Sequence, residues 1–214
     1  MGGEDAWNVT FLNDFTDYFS MNTVELFERY ADRYDSWYDR HRDWFLKEIE
    51  LIKNVAGDFK LGLEVGVGTG RFAKELGIRY GIDLANAMLK LAKSRGVEVI
   101  KADALHLPFK DKTFDLVLLA FTLCFLDDPL KALIEASKVL RDDGAVVICC
   151  VPSDSMLGRE YSQKKDSPFY SNAKLYSVNE ITAMLEIAKL KVEKVEFADL
   201  KYGRDVVCIK ACKR

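Results

Sequence analysis

The residues best placed to do chemistry form one run, Glu64-Val65-Gly66-Val67-Gly68-Thr69-Gly70-Arg71. An acidic side chain and three alternating glycines follow directly on a short apolar segment. Glycine at such positions permits backbone angles and a close ligand approach that a Cβ forbids. A strand that runs into such a loop and then into a helix is a common cradle for a nucleotide-like ligand. The spacing is not that of the dinucleotide fingerprint, which needs glycine at its first, third and sixth positions. Here the sixth position is Arg71, and the third glycine falls one place early, at Gly70. A nicotinamide-dependent oxidoreductase is therefore the disfavoured alternative.

Two further carboxylates stand where the same kind of site needs them. In an open α/β sheet the ligand lies outside the carboxyl ends of the strands, so the residues just after each strand matter most. Asp83 ends the second apolar segment, nineteen residues beyond Glu64. A carboxylate there accepts hydrogen bonds from both hydroxyls of a ribose. Asp103 and Ala104 follow the third segment, where a carboxylate can take an adenine amino group. Met88, one helical turn past Asp83, is placed to pack on the adenine or to serve the core.

The elements that must hold these residues read as alternating strands and helices. Strands are expected at 61–65, 78–82, 97–101, 114–120 and 144–151, with helices at 71–76, 86–94 and 129–140. Phe114–Ala120 is a continuous apolar run, as in a central parallel strand covered on both faces. Pro129 sits at a favoured first-turn position. Ser177-Val178-Asn179-Glu180 has capping-box spacing and opens a helix to about 189. Two closing strands follow, at 192–197 and 206–211. This alternation implies a three-layer α/β domain with a mostly parallel sheet.

Ahead of that domain, residues 23–55 carry apolar and aromatic side chains at helical spacing, from Leu26 and Phe27 to Ile49 and Ile52. They read as two amphipathic helices or one kinked helix, with Asp35 as a candidate cap for the second. Residues 1–20 show no clear period. Residues 152–177, rich in Ser, Lys, Gly and Tyr, break the strand–helix rhythm as an insertion. The expected organisation is a helical region at 1–56 and the main domain at 57–214.

Composition narrows the partners. The chain has 214 residues, a formal net charge of −3 and no strong basic patch, which disfavours nucleic acid. No apolar run reaches the ~18 residues of a membrane span. The N-terminus lacks the features of a secretory signal, so a cytoplasmic protein is the simplest expectation. The five cysteines form no Cys-x-x-Cys pair and read as buried free thiols. With two histidines in the chain, no metal site is expected.

Four stretches in order resemble the class I S-adenosylmethionine-dependent methyltransferases. Glu64–Gly70 is similar to the family's first motif, and Gly81-Ile82-Asp83-Leu84-Ala85-Asn86-Ala87-Met88-Leu89 to its ribose-binding motif. Asp103-Ala104-Leu105-His106-Leu107-Pro108-Phe109, then Phe114-Asp115-Leu116-Val117, resembles its adenine loop and fourth strand. Leu140-Arg141-Asp142-Asp143-Gly144 stands where the family has a Leu-Arg-Pro-Gly-Gly type turn. The resemblance implies a Rossmann-like sheet with an antiparallel closing strand, and S-adenosyl-L-methionine as cofactor. It places Glu64 and the Gly66, Gly68 and Gly70 backbone near the methionine part, and Asp83 on the ribose. Leu84 and Met88 would lie beside the adenine and Asp103 and Ala104 at its edge, with Ala120 and Phe121 at the sulfonium.

The segment from Tyr30 to Tyr38 resembles the N-terminal lid of small-molecule members, which puts Tyr34 and Trp37 over the methionine end and Arg33 or His41 near its carboxylate. Trp37, with Arg159, Tyr161 and Tyr170 of the insertion, are the candidate substrate contacts. The Asn-Pro-Pro-Tyr or Asp-Pro-Pro-Tyr marker of amide or adenine-amino methylation is absent. Its place reads Ala120-Phe121-Thr122-Leu123-Cys124-Phe125. The implied activity is direct in-line methyl transfer to a small molecule, by alignment and water exclusion, with no covalent nucleophile. A non-catalytic protein that binds the same cofactor is the other alternative.

Overall fold

The computed structural model describes residues 21–164 and 167–213. The N-terminal stretch 1–20 lies outside the described residues. In chain order the elements are helices α1 (Thr23–Arg29), α2 (Ala31–Arg40) and α3 (Arg42–Ala56), then strand β1 (Gly62–Val65). There follow α4 (Arg71–Leu76), β2 (Tyr80–Asp83), α5 (Asn86–Ser94), β3 (Glu98–Lys101) and β4 (Phe114–Ala120). After β4 come α6 (Pro129–Val139), β5 (Leu140–Cys150), α7 (Met156–Gln163) and α8 (Pro168–Ser171). The described chain closes with α9 (Val178–Ile187), β6 (Leu190–Ala198) and β7 (Val206–Lys213).

The strands form one sheet in the order β3-β2-β1-β4-β5-β7-β6. Strands β1 to β5 pair in parallel, and β7 runs antiparallel to both β5 and β6. The chain thus has the Rossmann-like sheet with a single reversed strand that the motifs implied. Its central strands bury both faces: Leu116–Leu119 are at most 2% exposed. One core layer packs Leu133, Ala136, Ile181 and Leu185 of α6 and α9 on the sheet. The other packs Phe45, Ile49 and Ile52 of α3 with Phe72 of α4.

Four expectations are corrected. The N-terminal segment makes three helices, broken at Tyr30 and His41, neither of which caps with its side chain. Asp35 lies inside α2 and spends its carboxylate on distant arginines, described below, not on a helix N-terminus. The expected turn at Leu140–Gly144 is drawn into β5, because Leu140 pairs with Phe114 ahead of a register shift. Cys149 and Cys208 form a disulfide, since the antiparallel register sets them directly opposite, with Cα atoms 4.2 Å apart. Cys124, Cys150 and Cys212 are free thiols.

The capping expectations at the other end are met. Ser177 accepts from Glu180 N while Glu180 reaches back to Ser177 N at 2.7 Å. Asp128 caps α6 through Lys131 N, with Pro129 in the first turn. The 152–177 insertion folds as α7 and α8, and Ser155 caps α7 by accepting from Gly158 N. Among the described residues no helix is long and apolar enough to cross a membrane. No group of three or more His, Cys, Asp or Glu side chains gathers among them either.

Candidate active site

The carboxyl ends of β1, β2 and β4 and the loop after β3 open into one cavity of about 710 Å³. This lies within the ~300–1,000 Å³ range of small-molecule and cofactor sites. Gly66 and Gly68 come from the loop after β1, and Asp83, Leu84 and Met88 from β2 and α5. Asp103 and Ala104 come from beyond β3, Ala120 and Phe121 from the end of β4. Helices α1 and α2 supply Phe27 and Tyr34 to the remaining wall.

Asp83 is held in place by the backbone. Its Oδ2 accepts from Gly68 N at 2.9 Å and its Oδ1 from Ala85 N at 2.9 Å. One carboxylate therefore ties the glycine loop to the start of α5, with further lone pairs on both oxygens. Burial raises its pKa from the ordinary value for an aspartate, and the Ala85 and Gly68 N–H groups pull the other way. Asp103 is more open: its Oδ1 accepts from Leu105 N at 2.9 Å, which turns the chain so that Ala104 meets the cavity.

Glu64 and Gly70 do not reach the cavity wall. Glu64 is 1% exposed beneath the loop, and its Oε2 finds no hydrogen-bond partner among the described residues. Desolvation raises its pKa well above the usual value, despite a hydrogen bond from the Ala73 backbone. Gly70 takes a left-handed conformation at the N-terminus of α4, so its part is to turn the chain.

Phe121 has φ 55°, a conformation that is rare for a bulky residue and clusters at functional sites. Its N–H donates to Cys149 O at 2.7 Å, which holds the turn at the end of β4. Thr122 then bridges from Oγ1 to Gly66 O and Ala120 O at 3.3 and 3.1 Å. Thr122 also lines the cavity, as do Phe125 and Asn172, although no spacing in the sequence singles them out.

A smaller chamber of about 100 Å³ adjoins the first, sharing Tyr34, Phe121 and Phe125. Trp37, Tyr161 and Tyr170 line it, and Tyr161 stacks on Tyr170 with centroids 4.1 Å apart. Arg159 is exposed and reaches neither space. Arg33 and His41 reach neither as well; His41 stacks on Trp37 with centroids 4.5 Å apart. Glu48, Tyr38 and Trp44 line the chamber too, and of these Glu48 and Trp44 lie outside every motif of the sequence. The signal for Glu48 was present: it sits with Phe45, Ile49 and Ile52 on the apolar stripe of α3.

Arg71, which breaks the dinucleotide spacing, anchors α2. Its Nε and Nη2 donate to the two Asp35 oxygens at 2.7 and 2.8 Å, and Asp39 lies at 2.8 Å. Arg95 joins Asp35 at 2.7 Å and donates to Thr69 O at 2.8 Å. This network ties α2 to the glycine loop, α4 and the end of α5. Although burial opposes it, hydrogen bonding from Arg71 and Arg95 lowers the Asp35 pKa to about 2. A depressed carboxylate stabilises the fold above its unfolded value of 3.8 and loses that contribution as the pH falls through about 2. Asp35→Asn is expected to cost roughly 1–3 kcal/mol at neutral pH, as for charge-assisted hydrogen bonds, and less near pH 2. Urea unfolding at the two pH values checks this; an equal cost at both would refute it.

A family described as a methyltransferase domain matches residues 63–148. An uncharacterized protein of Methanocaldococcus jannaschii is 38% identical over 192 residues, 84% of this chain and 93% of its own. The demethylmenaquinone methyltransferase of Thermobifida fusca is 33% identical over 157 residues, covering 64% of this chain and 66% of that one. Among solved structures, a Thermotoga maritima S-adenosylmethionine-dependent methyltransferase, titled a possible histamine N-methyltransferase, is 35% identical with a TM-score of 0.81. That match covers 89% of this chain and 99% of the other. The chain belongs to the class I S-adenosylmethionine-dependent methyltransferase family.

Proposed function

We propose that this protein transfers a methyl group from S-adenosyl-L-methionine to a small-molecule acceptor. The observation that carries the reading is the pairing of Asp83 and Asp103 on one cavity wall, with the Gly66 and Gly68 backbone beside them. An adenosyl group asks for that combination: a carboxylate for the ribose hydroxyls, another at the adenine edge, and the apolar sides of Leu84 and Met88 for the ring. The Gly66 and Gly68 backbone would face the methionine portion, with Glu64 beneath that loop and Gly70 turning it into α4, and Ala120, Phe121 and Tyr34 would surround the sulfonium. When bound, that sulfonium supplies an electrophilic methyl group.

The chain's own contribution is alignment and exclusion of water. Tyr34 and Phe121 stand between the two spaces, so an acceptor in the smaller chamber would approach past them. Within the 1–56 region, the described helices α1 to α3 act in this reading as a lid on the domain formed by 57–214. The Asp35 network holds α2 closed, and the 152–177 insertion completes the acceptor side through Tyr161 and Tyr170. Incubating the protein with methyl-labelled S-adenosylmethionine and fractionated metabolites tests the activity. Label recovered in a low-molecular-weight product is expected; label recovered only in the donor across all fractions would count against transfer.

A further inference from the structure

We propose that the smaller chamber receives the organic ammonium group of the acceptor, with Glu48 as its counter-ion. The proposal deepens the methyltransferase reading and rests on it only in treating the ligand as the methyl acceptor.

The chamber has the two features that recognise an organic cation. The first is a buried acid without a counter-charge. Glu48 is 5% exposed, lines the chamber, and its Oε2 has no hydrogen-bond partner among the described residues. An unpaired carboxyl in such a place costs stability that a leucine or methionine would not. The nearby basic side chains are engaged elsewhere: Lys164 and Lys201 pair with Glu160 at 2.8 and 3.0 Å. The second feature is an aromatic enclosure. Trp37, Tyr38, Trp44, Phe121, Tyr161 and Tyr170 line the space around Glu48. Ring faces attract a cation, and the attraction grows when water is excluded.

Size adds a limit. About 100 Å³ is roughly the liquid volume of three waters, enough for an ammonium with a few methyl or methylene groups. The remainder of a larger acceptor must extend outward.

Protonation follows from burial. Desolvation pushes the Glu48 carboxyl up to about 8, so at neutral pH it holds a proton until a cation arrives. Other titratable groups face the chamber: Tyr34 and Tyr38 of α2, Cys124 after β4, Cys150 of β5, Tyr161 of α7 and Tyr170 of α8. Burial raises Tyr34, Tyr38 and Cys150, and lifts Cys124 and Tyr161 to about 12. Beyond them lie the buried Glu64 and the Glu160, Lys164 and Lys201 cluster. Binding a cation should therefore expel one proton from Glu48 below pH 8, and affinity should rise with pH until Glu48 is ionised.

The test is calorimetric titration of the full chain with n-butylamine and with uncharged 1-butanol, each with and without S-adenosylhomocysteine. The amine is expected to bind at least tenfold more tightly than the alcohol at pH 8. Its affinity should rise about tenfold from pH 6 to pH 7 but only about twofold from pH 8 to pH 9, since apparent affinity follows the competent fraction. Near pH 6.5, buffers of different ionisation enthalpy should report about one proton released per amine bound. Glu48→Gln should remove the preference and the proton release while S-adenosylhomocysteine binds as before. Equal affinity for amine and alcohol, or amine binding without proton release, overturns the proposal on wild-type protein alone. Failure of S-adenosylhomocysteine to bind would instead overturn the methyltransferase reading.

Discussion

Replacing Asp83 by alanine is expected to weaken S-adenosylhomocysteine binding by about 1–3 kcal/mol, or roughly 5–150-fold. Two effects add. The variant loses the acceptor at the end of β2 that a ribose needs, and it releases the Gly68 and Ala85 N–H groups that this carboxylate holds at 2.9 Å. The second effect loosens the glycine loop itself, so the loss should exceed that from altering an exposed acceptor. Asp83→Asn separates the two. An amide keeps one accepting oxygen but presents NH2 to one of the two backbone donors, so an intermediate loss is expected. Calorimetry on variants with native circular dichroism checks both. Unchanged affinity in a folded Asp83→Ala protein would remove this residue from the site.

Gly70→Ala is expected to destabilise the fold by roughly 2–4 kcal/mol, combining left-handed backbone strain with overpacking. Gly70 has φ 77°, and a Cβ there would lie 2.8 Å from the Cα and Cβ of Ala92 in α5. That neighbour is backbone and cannot swing aside, so α4 and α5 would have to part. Gly77 is the control. Its φ is 74°, but nothing lies within 4 Å of a Cβ built there. Gly77→Ala should cost only the backbone share, about 1 kcal/mol. Urea unfolding of both variants distinguishes close packing from conformation alone; equal losses would show that contact with Ala92 is immaterial.

Much of this molecule was readable in its residues because glycines and capping residues punctuate it. α4, α5 and β4 fall on the expected boundaries, and Ser177 and Glu180 form the cap their spacing announced. Asp83 and Asp103 were legible because they stand at or just past the carboxyl ends of strands, where topology brings loops together. The misreadings share a cause: contacts between residues far apart in the chain. Asp35 looked like a cap because its partners, Arg71 and Arg95, lie 36 and 60 residues away. The Cys149–Cys208 bond spans 59 residues and depends on the register between β5 and β7. The breaks at Tyr30 and His41 carry neither glycine nor proline, so helical periodicity ran through them. Glu48 was hidden by its neighbours, since one acid on an apolar stripe is easily taken for a partly solvated position.

The two spaces divide the labour of the proposed reaction. The larger one gathers carboxylates and bare backbone from the sheet's carboxyl edge, where open α/β folds place their ligands. The smaller one is lined by α2, α3 and the insertion helices, which close over Phe121, Cys124 and Cys150 at the ends of β4 and β5. In the proposed reaction the sheet's carboxyl edge would hold the cofactor, and the added helices would contribute most of the acceptor's surroundings. The Asp35 network joins them mechanically, because it fastens α2, which carries Tyr34 and Trp37, to the glycine loop.

The central claim is that the larger cavity holds the adenosyl cofactor of methyl transfer. Its most direct test is calorimetric titration of the wild-type chain with S-adenosylhomocysteine and, separately, with a nicotinamide dinucleotide. One S-adenosylhomocysteine is expected to bind per chain, with binding weakened by Asp83→Ala, and the dinucleotide is expected not to bind. Saturable dinucleotide binding with no response to S-adenosylhomocysteine would contradict it.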